Sequence, residues 1–246
     1  MSRAKPAADR RILMVVPTLN EDASVEKVLS GVLDTGADVL VVDDGSQDQT
    51  VPIVERVAAS RPGVHLMQRG RKLGLGSAYR DGFRWGMRRG YDVFGEMDAD
   101  LSHDPGSLPD LIAGLEVADL VIGSRYVAGG AVEAWPVSRR WLSQGGNAYV
   151  RLWTGLPVRD CTAGFRLYHR EVIQAIDMAL VHSEGYAFQI EMGLRTWRLG
   201  FDILEVPITF TERQEGVSKM SKAIVAEALW RVPMWARHRG VRQRRR

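Results

Sequence analysis

The first half of the chain alternates short apolar runs with segments of helical periodicity, and this alternation restricts the fold more than any other feature. Five runs indicate strands, at residues 12–16, 39–42, 64–67, 91–97 and 120–122. Helical spacing of apolar residues follows the first four runs, over residues 22–34, 50–59, 76–88 and 107–117. Strands that alternate with helices form a mostly parallel central sheet flanked by helices. The sequence therefore predicts an α/β, Rossmann-like domain whose ligands bind beyond the carboxyl ends of the strands.

The second half of the chain is less regular. Helices are predicted over 137–154, 183–199 and 221–238, a strand over 165–168, and one or two strands over 202–211. No internal repeat and no linker long enough to separate two domains is visible in the sequence. We therefore expect a disordered N-terminus (1–11), one folded domain (12–220), and a C-terminal amphipathic helix with a basic tail (221–246).

Cysteine content and hydropathy narrow the class of protein. A single cysteine, Cys161, excludes an internal disulfide and a multi-cysteine metal site. Residues 1–11 are polar and lack the apolar core of a signal peptide. No segment approaches the roughly 18 consecutive apolar residues of a membrane span. These features predict a protein on the cytoplasmic side of the membrane without a spanning helix.

The charge of the chain is distributed unevenly. The net charge is +3, and residues 231–246 contain seven arginines and no acid. The first 230 residues therefore carry a net charge of −4. An acidic body argues against a nucleic-acid-binding protein, which needs a basic face with exposed aromatic residues. A basic tail is typical of segments that bind anionic lipid or nucleic acid, or that are simply solvated.

Asp98-Ala99-Asp100 closes the predicted strand 91–97 and is the clearest candidate for chemistry. Two carboxylates at positions i and i+2 beyond a parallel strand can hold one divalent cation. Their hard oxygen ligands favour Mg²⁺ or Mn²⁺ and leave coordination positions open for a diphosphate. The alternative is a polar turn before the next helix, with Asp104-Pro105 as its start.

Three further loops follow the first three strands. Residues 17–21 (Pro-Thr-Leu-Asn-Glu) and 43–46 (Asp-Asp-Gly-Ser) would lie side by side, and carboxylates there can accept hydrogen bonds from a base or a ribose. Capping of the following helices is the simpler explanation for Asn20 and Ser46. The loop 69–77 combines glycines with Arg69, Arg71 and Lys72, which suits phosphates at a helix N-terminus.

Taken together, these segments resemble the family 2 glycosyltransferases of GT-A fold, and in particular the polyprenol-phosphate (dolichol-phosphate) mannose synthases. The resemblance spans about residues 12–222 in the same order. Its matching segments are residues 16–21, 42–46, 69–76, 97–104, 123–126, 139–147, 161–166, 185–189 and 213–220.

The resemblance implies a single GT-A catalytic domain and an inverting enzyme that moves mannose from GDP-mannose to a polyprenyl (dolichyl-type) monophosphate. The residues it implies for binding the nucleotide sugar are Pro17, Leu19, Glu21, Val42, Asp44, Lys72, Asp98, Ala99 and Asp100. It implies Mg²⁺ or Mn²⁺ on Asp98, Asp100 and Ser102. Transfer from UDP-glucose or another sugar nucleotide remains the alternative, as does a nucleotide-binding regulator without catalysis.

Two positions depart from the family pattern. Position 19 often carries Tyr in relatives and here is Leu19, so a ring contact to the nucleotide would be lost. Position 102 often carries Gln as a third metal ligand, whereas Ser102 is shorter and would reach the cation through water or not at all.

The resemblance also implies an acceptor side. The residues that match positions binding the acceptor phosphate are Arg125, Arg139, Ser143, Arg213 and Lys219, and we take Asp98, Asp100, Arg125, Arg213 and Lys219 as the catalytic set. The planar fork of an arginine can meet two phosphate oxygens at once. For any one of these basic residues considered alone, an ordinary charged residue on the protein surface is the simpler explanation.

The C-terminal helix is the predicted membrane contact. Apolar residues fall on one helical stripe: Ile224, Val225, Ala228, Leu229, Val232 and Trp235. Basic residues at its ends would meet anionic headgroups. The alternative is a helix packed on the body. The sequence leaves two interpretations open for three tryptophans, which are either core residues or an apolar rim for the lipid: Trp135, Trp141 and Trp153. Simple roles in a polar turn and at a helix start explain His103 and His169. A membrane-anchoring protein partner is a further prediction.

Overall fold

The computed structural model describes residues 9–212 and 230–236. Its strands run over Ile12–Thr18 (β1), Asp38–Asp43 (β2), Val64–Gln68 (β3), Val93–Glu96 (β4), Leu120–Ser124 (β5), Ala131–Glu133 (β6), Arg166–His169 (β7), Ile203–Pro207 (β8) and Thr209–Thr211 (β9). Its helices run over Val25–Leu33 (α1), Thr50–Ser60 (α2), Leu75–Arg88 (α3), Leu108–Gly114 (α4), Val137–Thr154 (α5), Arg170–Ala175 (α6) and Gly185–Arg198 (α7).

A seven-stranded sheet in the order β3-β2-β1-β4-β7-β5-β8 forms the centre of the fold. Strand β7 pairs antiparallel with both β4 and β5, and the other pairings in this sheet are parallel. The prediction of a mostly parallel α/β sheet is confirmed. Because β1, β2 and β4 are parallel neighbours, the loops that follow them meet at one edge of the sheet.

The strands are apolar on both faces because helices cover both sides of the sheet. Successive side chains of β1 alternate, so that Leu13 and Val15 pack in one core layer, and Met14 and Val16 pack in the other. Each of these four side chains is fully buried. Packing on both faces of the sheet therefore fixes the position of β1 and of the loop that follows it.

Helix α3 lies unusually close to the sheet because it presents glycines to β1. A Cβ added at Gly82 would lie 2.5 Å from a methyl group of Val15, and one added at Gly86 would lie 2.6 Å from a methyl group of Leu13. Neither distance is compatible with a side chain. The close approach determines where the first turn of α3 lies relative to the loops after β1 and β2.

The disordered N-terminus was predicted for residues 1–11, of which the structure describes residues 9–11. Residues 9–11 precede β1, where Arg10 pairs with Glu116 at 2.7 Å and the Arg11 amide donates to Asp92 at 3.0 Å. Residues 1–8 lie outside the described part of the chain, as do residues 213–229 and 237–246.

The end of the predicted C-terminal helix is described at residues 230–236, which are helical. Val232 is fully buried, and Arg198 Nη2 donates to the Trp235 carbonyl at 2.7 Å. The stripe that we assigned to membrane contact is thus wrong at Val232, which packs into the core of the domain, and at Trp235, which is partly buried against that core. The face turned to solvent carries Trp230 and Met234, which are 74% and 47% exposed.

Candidate functional site

A cavity of about 430 Å³ opens beyond the carboxyl ends of the parallel strands. The residues that the sequence assigned to a site and that line this cavity are Pro17, Leu19, Glu21, Asp44, Lys72, Asp98, Ala99, Asp100, Ser102, Arg125 and Arg139. Val42 is instead buried in the core, and Ser143 does not line the cavity but accepts a hydrogen bond from Tyr126 at 2.7 Å. Arg213 and Lys219 lie outside the described residues.

The aspartate pair after β4 is held in a tight turn that lines the cavity. Asp100 Oδ1 accepts a hydrogen bond from the Ser102 amide at 3.0 Å. The Ser102 hydroxyl is buried and has no hydrogen-bond partner among the described residues. Leu101 between them adopts a positive φ of 60°, which a non-glycine residue rarely does. The two carboxylates and the unsatisfied Ser102 hydroxyl therefore belong to residues that line the same cavity.

This set of oxygens fits a hard divalent cation. In residues 9–212 and 230–236, no group of three His, Cys, Asp or Glu side chains forms a complete metal site. A cation on Asp98 and Asp100 would take its remaining ligands from Ser102, water or a bound diphosphate. Oxygen ligands of this kind suit Mg²⁺ and Mn²⁺, which usually retain several non-protein ligands.

The His103 side chain holds the backbone of the aspartate turn through a hydrogen bond, a role that was not predicted from the sequence. Its Nδ1 lies 3.5 Å from the Asp98 amide, which donates to it. Its ring packs against Phe165 and Phe210, with centroids 5.5 and 5.4 Å away. Burial lowers the pKa of His103 to about 4. The imidazole is therefore neutral at pH 7 and can accept this hydrogen bond, whereas the sequence suggested only a polar turn.

Asp44 organises the loop that follows β3. Its carboxylate accepts hydrogen bonds from Arg69 Nε at 2.6 Å and from the amides of Leu73 and Gly74 at 3.1 Å each. The Arg69 side chain is almost fully buried and also donates to Ser77 at 2.6 Å. The interpretation of Arg69 as a phosphate ligand is therefore wrong, since its guanidinium holds the loop together and Lys72 is the basic residue that lines the cavity.

Glu184, which immediately precedes α7, occupies the N-terminus of α3. Its carboxylate accepts hydrogen bonds from the amides of Gly76 at 2.7 Å and Ser77 at 3.1 Å. Burial raises the pKa of Glu184, while the Gly76 amide lowers it. The predicted phosphate at this helix N-terminus is therefore replaced by a carboxylate of the chain itself. Gly74 is required here, because it has a φ of 104° and a Cβ would lie 2.5 Å from Glu184.

Other lining residues of the cavity are cationic and aromatic. Arg125 pairs with Asp160 at 2.6 Å, and Arg139 pairs with Glu212. The Arg139 guanidinium lies 4.1 Å from the centre of the Trp135 ring, which is half-buried. A phosphate between these arginines would meet two positive charges beside an apolar wall.

The other two candidate tryptophans lie away from the core. Trp141 and Trp153 on α5 are 71% and 43% exposed. Val137, Leu142 and Leu152 on the same helix are also exposed. Of the two interpretations of these tryptophans, a place in the core is therefore wrong for Trp141 and Trp153.

Helix α7 contributes cavity residues that the strand pattern could not reveal. Glu184, Gly185, Tyr186 and Gln189 all line the cavity. Apart from the match of residues 185–189 to the family pattern, no signal in the sequence marks them. Helix α7 follows a loop and does not directly follow a strand of the predicted βα alternation. The rule that parallel strands end at one sheet edge therefore could not place α7 near the aspartate turn.

The model of the family described as Glycosyl transferase family 2 matches residues 14–177, which is more than half of the chain. The chain belongs to glycosyltransferase family 2. The matched residues include the loops after β1, β2 and β4 and the segment around Asp160. The chain is accordingly an enzyme of the GT-A fold.

Two curated proteins are similar to this chain over most of their length. Undecaprenyl-phosphate mannosyltransferase of Micrococcus luteus is 49% identical over 239 residues, which cover 95% of this chain and 98% of that protein. Polyprenol monophosphomannose synthase of Mycolicibacterium smegmatis is 47% identical over 230 residues, covering 92% of this chain and 87% of that protein.

Solved structures confirm the fold. Glucosyl-3-phosphoglycerate synthase from Mycobacterium tuberculosis, in complex with Mn²⁺, UDP and glucosyl-3-phosphoglycerate, has a TM-score of 0.68 at 22% identity and covers 92% of this chain and 81% of that one. The same enzyme with Mg²⁺ and UDP also has a TM-score of 0.68 at 22% identity, with coverage of 92% and 80%. At this identity the likeness concerns the GT-A architecture.

Proposed function

We propose that this glycosyltransferase moves mannose from GDP-mannose to a polyprenyl monophosphate with inversion, and releases GDP and a β-mannosyl phosphate polyprenol. The observation that carries the proposal is one cavity whose lining combines an aspartate pair with Arg125 and Arg139. The names of the two curated relatives, each 47–49% identical over almost the whole chain, support mannose and a polyprenyl phosphate as substrates.

The donor is proposed to bind along the loops after β1, β2 and β4. Pro17, Leu19, Glu21 and Asp44 line the part of the cavity that would take the guanosine. Mg²⁺ or Mn²⁺ on Asp98 and Asp100 would neutralise the charge that develops on the departing diphosphate. Lys72 lines the same region and would add a further positive charge.

The acceptor needs no general base in this proposal. A phosphate monoester has a second pKa of about 6, so it is mostly a dianion at neutral pH and attacks without losing a proton. Arg125 and Arg139 would hold it for in-line attack on the anomeric carbon, and Trp135 and Phe210 form an apolar wall beside them. Arg213 and Lys219 belong to this proposal through the family resemblance.

The donor is tested by measuring turnover of GDP-mannose and of UDP-glucose by the full chain with a short-chain polyprenyl phosphate and Mg²⁺ or Mn²⁺. We expect a lipid-extractable, mannose-labelled product and a kcat/KM at least about 100-fold higher for GDP-mannose. Equal or faster turnover of UDP-glucose would refute the donor assignment. Mannose transfer to water alone would refute the acceptor assignment.

The protein is further proposed to lie at the cytoplasmic face of the cell membrane as a peripheral protein. Within the described ranges, no helix is long and apolar enough to cross a bilayer. Trp230 and Met234 are exposed on the last described helix, and residues 237–246 add six arginines. Exposed apolar residues next to basic ones suit a helix that lies in the headgroup region.

Removing residues 237–246 should weaken binding to vesicles that contain anionic lipid. Each basic residue near such a surface contributes about 1 kcal/mol, so we expect a loss of at least about tenfold in the partition coefficient. Sedimentation with vesicles at two salt concentrations measures this, and vesicles of neutral lipid are the control. Unchanged binding to anionic vesicles would contradict the assignment of the tail.

A further inference from the structure

Arg125 is the most tightly held of the cavity's cations. Asp160 Oδ2 accepts hydrogen bonds from the Arg125 amide at 3.0 Å and from its Nε at 2.7 Å, and Asp160 Oδ1 accepts from Nη2 at 2.6 Å. Nη2 also donates to Thr162 at 3.0 Å. The side chain of Asp160 is completely buried, and that of Arg125 is 5% exposed. This is the bidentate geometry in which an arginine loses most of its rotational freedom.

Aromatic rings fix the guanidinium from the other directions. Its central carbon lies 5.3 Å from the Tyr126 ring centre, 5.5 Å from that of Trp135 and 5.3 Å from that of Phe210. Nε and Nη2 are both taken, so Nη1 is the guanidinium nitrogen without a hydrogen-bond partner in the described part of the chain. Since Arg125 lines the cavity, Nη1 is the group left to donate to an anion there.

Asp160 is itself held by the neighbouring strand. Glu205 of β8 accepts hydrogen bonds from the amides of Arg159 at 2.7 Å and Asp160 at 2.9 Å, and from the Ser124 hydroxyl at 2.7 Å. Burial raises the pKa of Asp160, but the charge and hydrogen bonds of Arg125 lower it below its usual value. Asp160 is therefore an ionised carboxylate on a fixed backbone.

The second arginine of the cavity is held much more loosely. Arg139 is 26% exposed, and among the described residues its one carboxylate partner is Glu212, which is 34% exposed. An incoming phosphate could take the place of Glu212 at little cost, because both groups are partly hydrated. It could not take the place of Asp160, because that would leave a fully buried carboxylate without its partner.

We propose that Asp160 is a positioning residue that fixes the Arg125 guanidinium, so that its remaining nitrogen donates to the phosphate of the polyprenyl acceptor. This inference rests on the proposed function for the identity of the acceptor. Arg125 then enters the reaction already ordered, and binding the phosphate costs little side-chain entropy. Asp160 itself does not touch either substrate.

The test is a double-mutant cycle on the full chain with Asp160→Asn and Arg125→Ala. For Asp160→Asn we expect the KM of a short-chain polyprenyl phosphate to rise about tenfold, and the KM of GDP-mannose to change less than about twofold. In the Arg125→Ala background, Asp160→Asn should have no further effect on the acceptor. In the Arg139→Ala background, its effect should remain nearly complete. The control is Asp110→Asn, an exposed residue of α4 outside the cavity.

Additive effects of Asp160→Asn and Arg125→Ala would overturn the proposal, as would an equal rise in both KM values. If Asp160→Asn does not fold, Arg125→Lys serves instead, because a lysine keeps the charge but cannot pair with Asp160 through two nitrogens and present a third. An unchanged acceptor KM there would overturn the proposal. Acceptor binding is also measured without GDP-mannose. A wild-type chain that binds the lipid phosphate but transfers no mannose refutes the proposed function, while the cycle on binding still decides the role of Asp160.

Discussion

Replacing Asp100 with Ala is expected to lower kcat/KM for mannosyl transfer by at least about 100-fold, which corresponds to the several kcal/mol that a bound cation contributes to a charged transition state. Asp100 lines the cavity, and its carboxylate is fixed by the Ser102 amide. Without it, Asp98 would be the only carboxylate in the turn. Charge on the departing diphosphate would then be poorly neutralised.

The measurement is lipid-extractable radiolabel from GDP-mannose at saturating Mg²⁺ or Mn²⁺. EDTA should abolish the activity of the wild-type chain, and excess of either cation should restore it. Calorimetry of Mn²⁺ binding in the presence of GDP provides a readout that does not depend on turnover. Asp110→Ala is the matched control, because it removes an exposed carboxylate from α4. Substantial activity or unchanged Mn²⁺ binding in Asp100→Ala would show that the cation is held elsewhere.

Replacing Arg166 with Met is expected to lower the free energy of unfolding by about 3–5 kcal/mol. Arg166 is completely buried on β7 and donates to the carbonyls of Ala163 at 2.7 Å, Gln189 at 2.7 Å and Cys161 at 2.8 Å. Methionine fills a similar volume but leaves these three carbonyls without their donor. It also removes the positive charge next to the buried Glu96.

The pH dependence of this loss provides a second check. Burial raises the pKa of Glu96 to about 7, and the charge of Arg166 opposes this rise. A carboxyl group whose pKa is higher in the folded state favours folding at low pH, and this contribution disappears as the pH rises from about 4.5 to about 7. Without Arg166 the ionised form becomes still less favourable, so Arg166→Met should lose more stability at pH 8 than at pH 5.

Urea denaturation of the wild-type chain and of Arg166→Met at both pH values measures these differences. Arg88→Met, at the exposed end of α3, is the control and should stay within about 0.5 kcal/mol of the wild type. A loss below about 1 kcal/mol for Arg166→Met would mean that water or a rearranged side chain replaces the three hydrogen bonds.

The regular part of the fold was predictable because its signals are local. The five apolar runs of the first half correspond to β1–β5, and the helical spacing between them corresponds to α1–α4. Strands β8 and β9 fall within the one or two strands predicted over 202–211. The short strand β6 was not predicted, because Ala131–Glu133 carries no period and pairs with residues far away in the sequence. Nor does any local pattern specify that β7 inserts antiparallel between β4 and β5.

The same division applies to the candidate site. Asp98 and Asp100 could be identified because they follow a predicted strand, and parallel strands end at a common edge. The charge pairs could not be identified, because Arg69 meets Asp44 across 25 positions and Arg125 meets Asp160 across 35. Such partners decide which cations face the cavity, and only the three-dimensional arrangement reveals them.

The position of Glu184 has a mechanical consequence. Its carboxylate is bound to the first amides of α3, while its own backbone leads directly into Gly185 and Tyr186. The Glu184 side chain thus connects the cavity wall near Lys72 directly to the cavity wall near Tyr186. We therefore expect the segments that carry Lys72 and Tyr186 to move together when a nucleotide binds beside Lys72. Binding of one substrate would then change the opening through which the other enters the cavity.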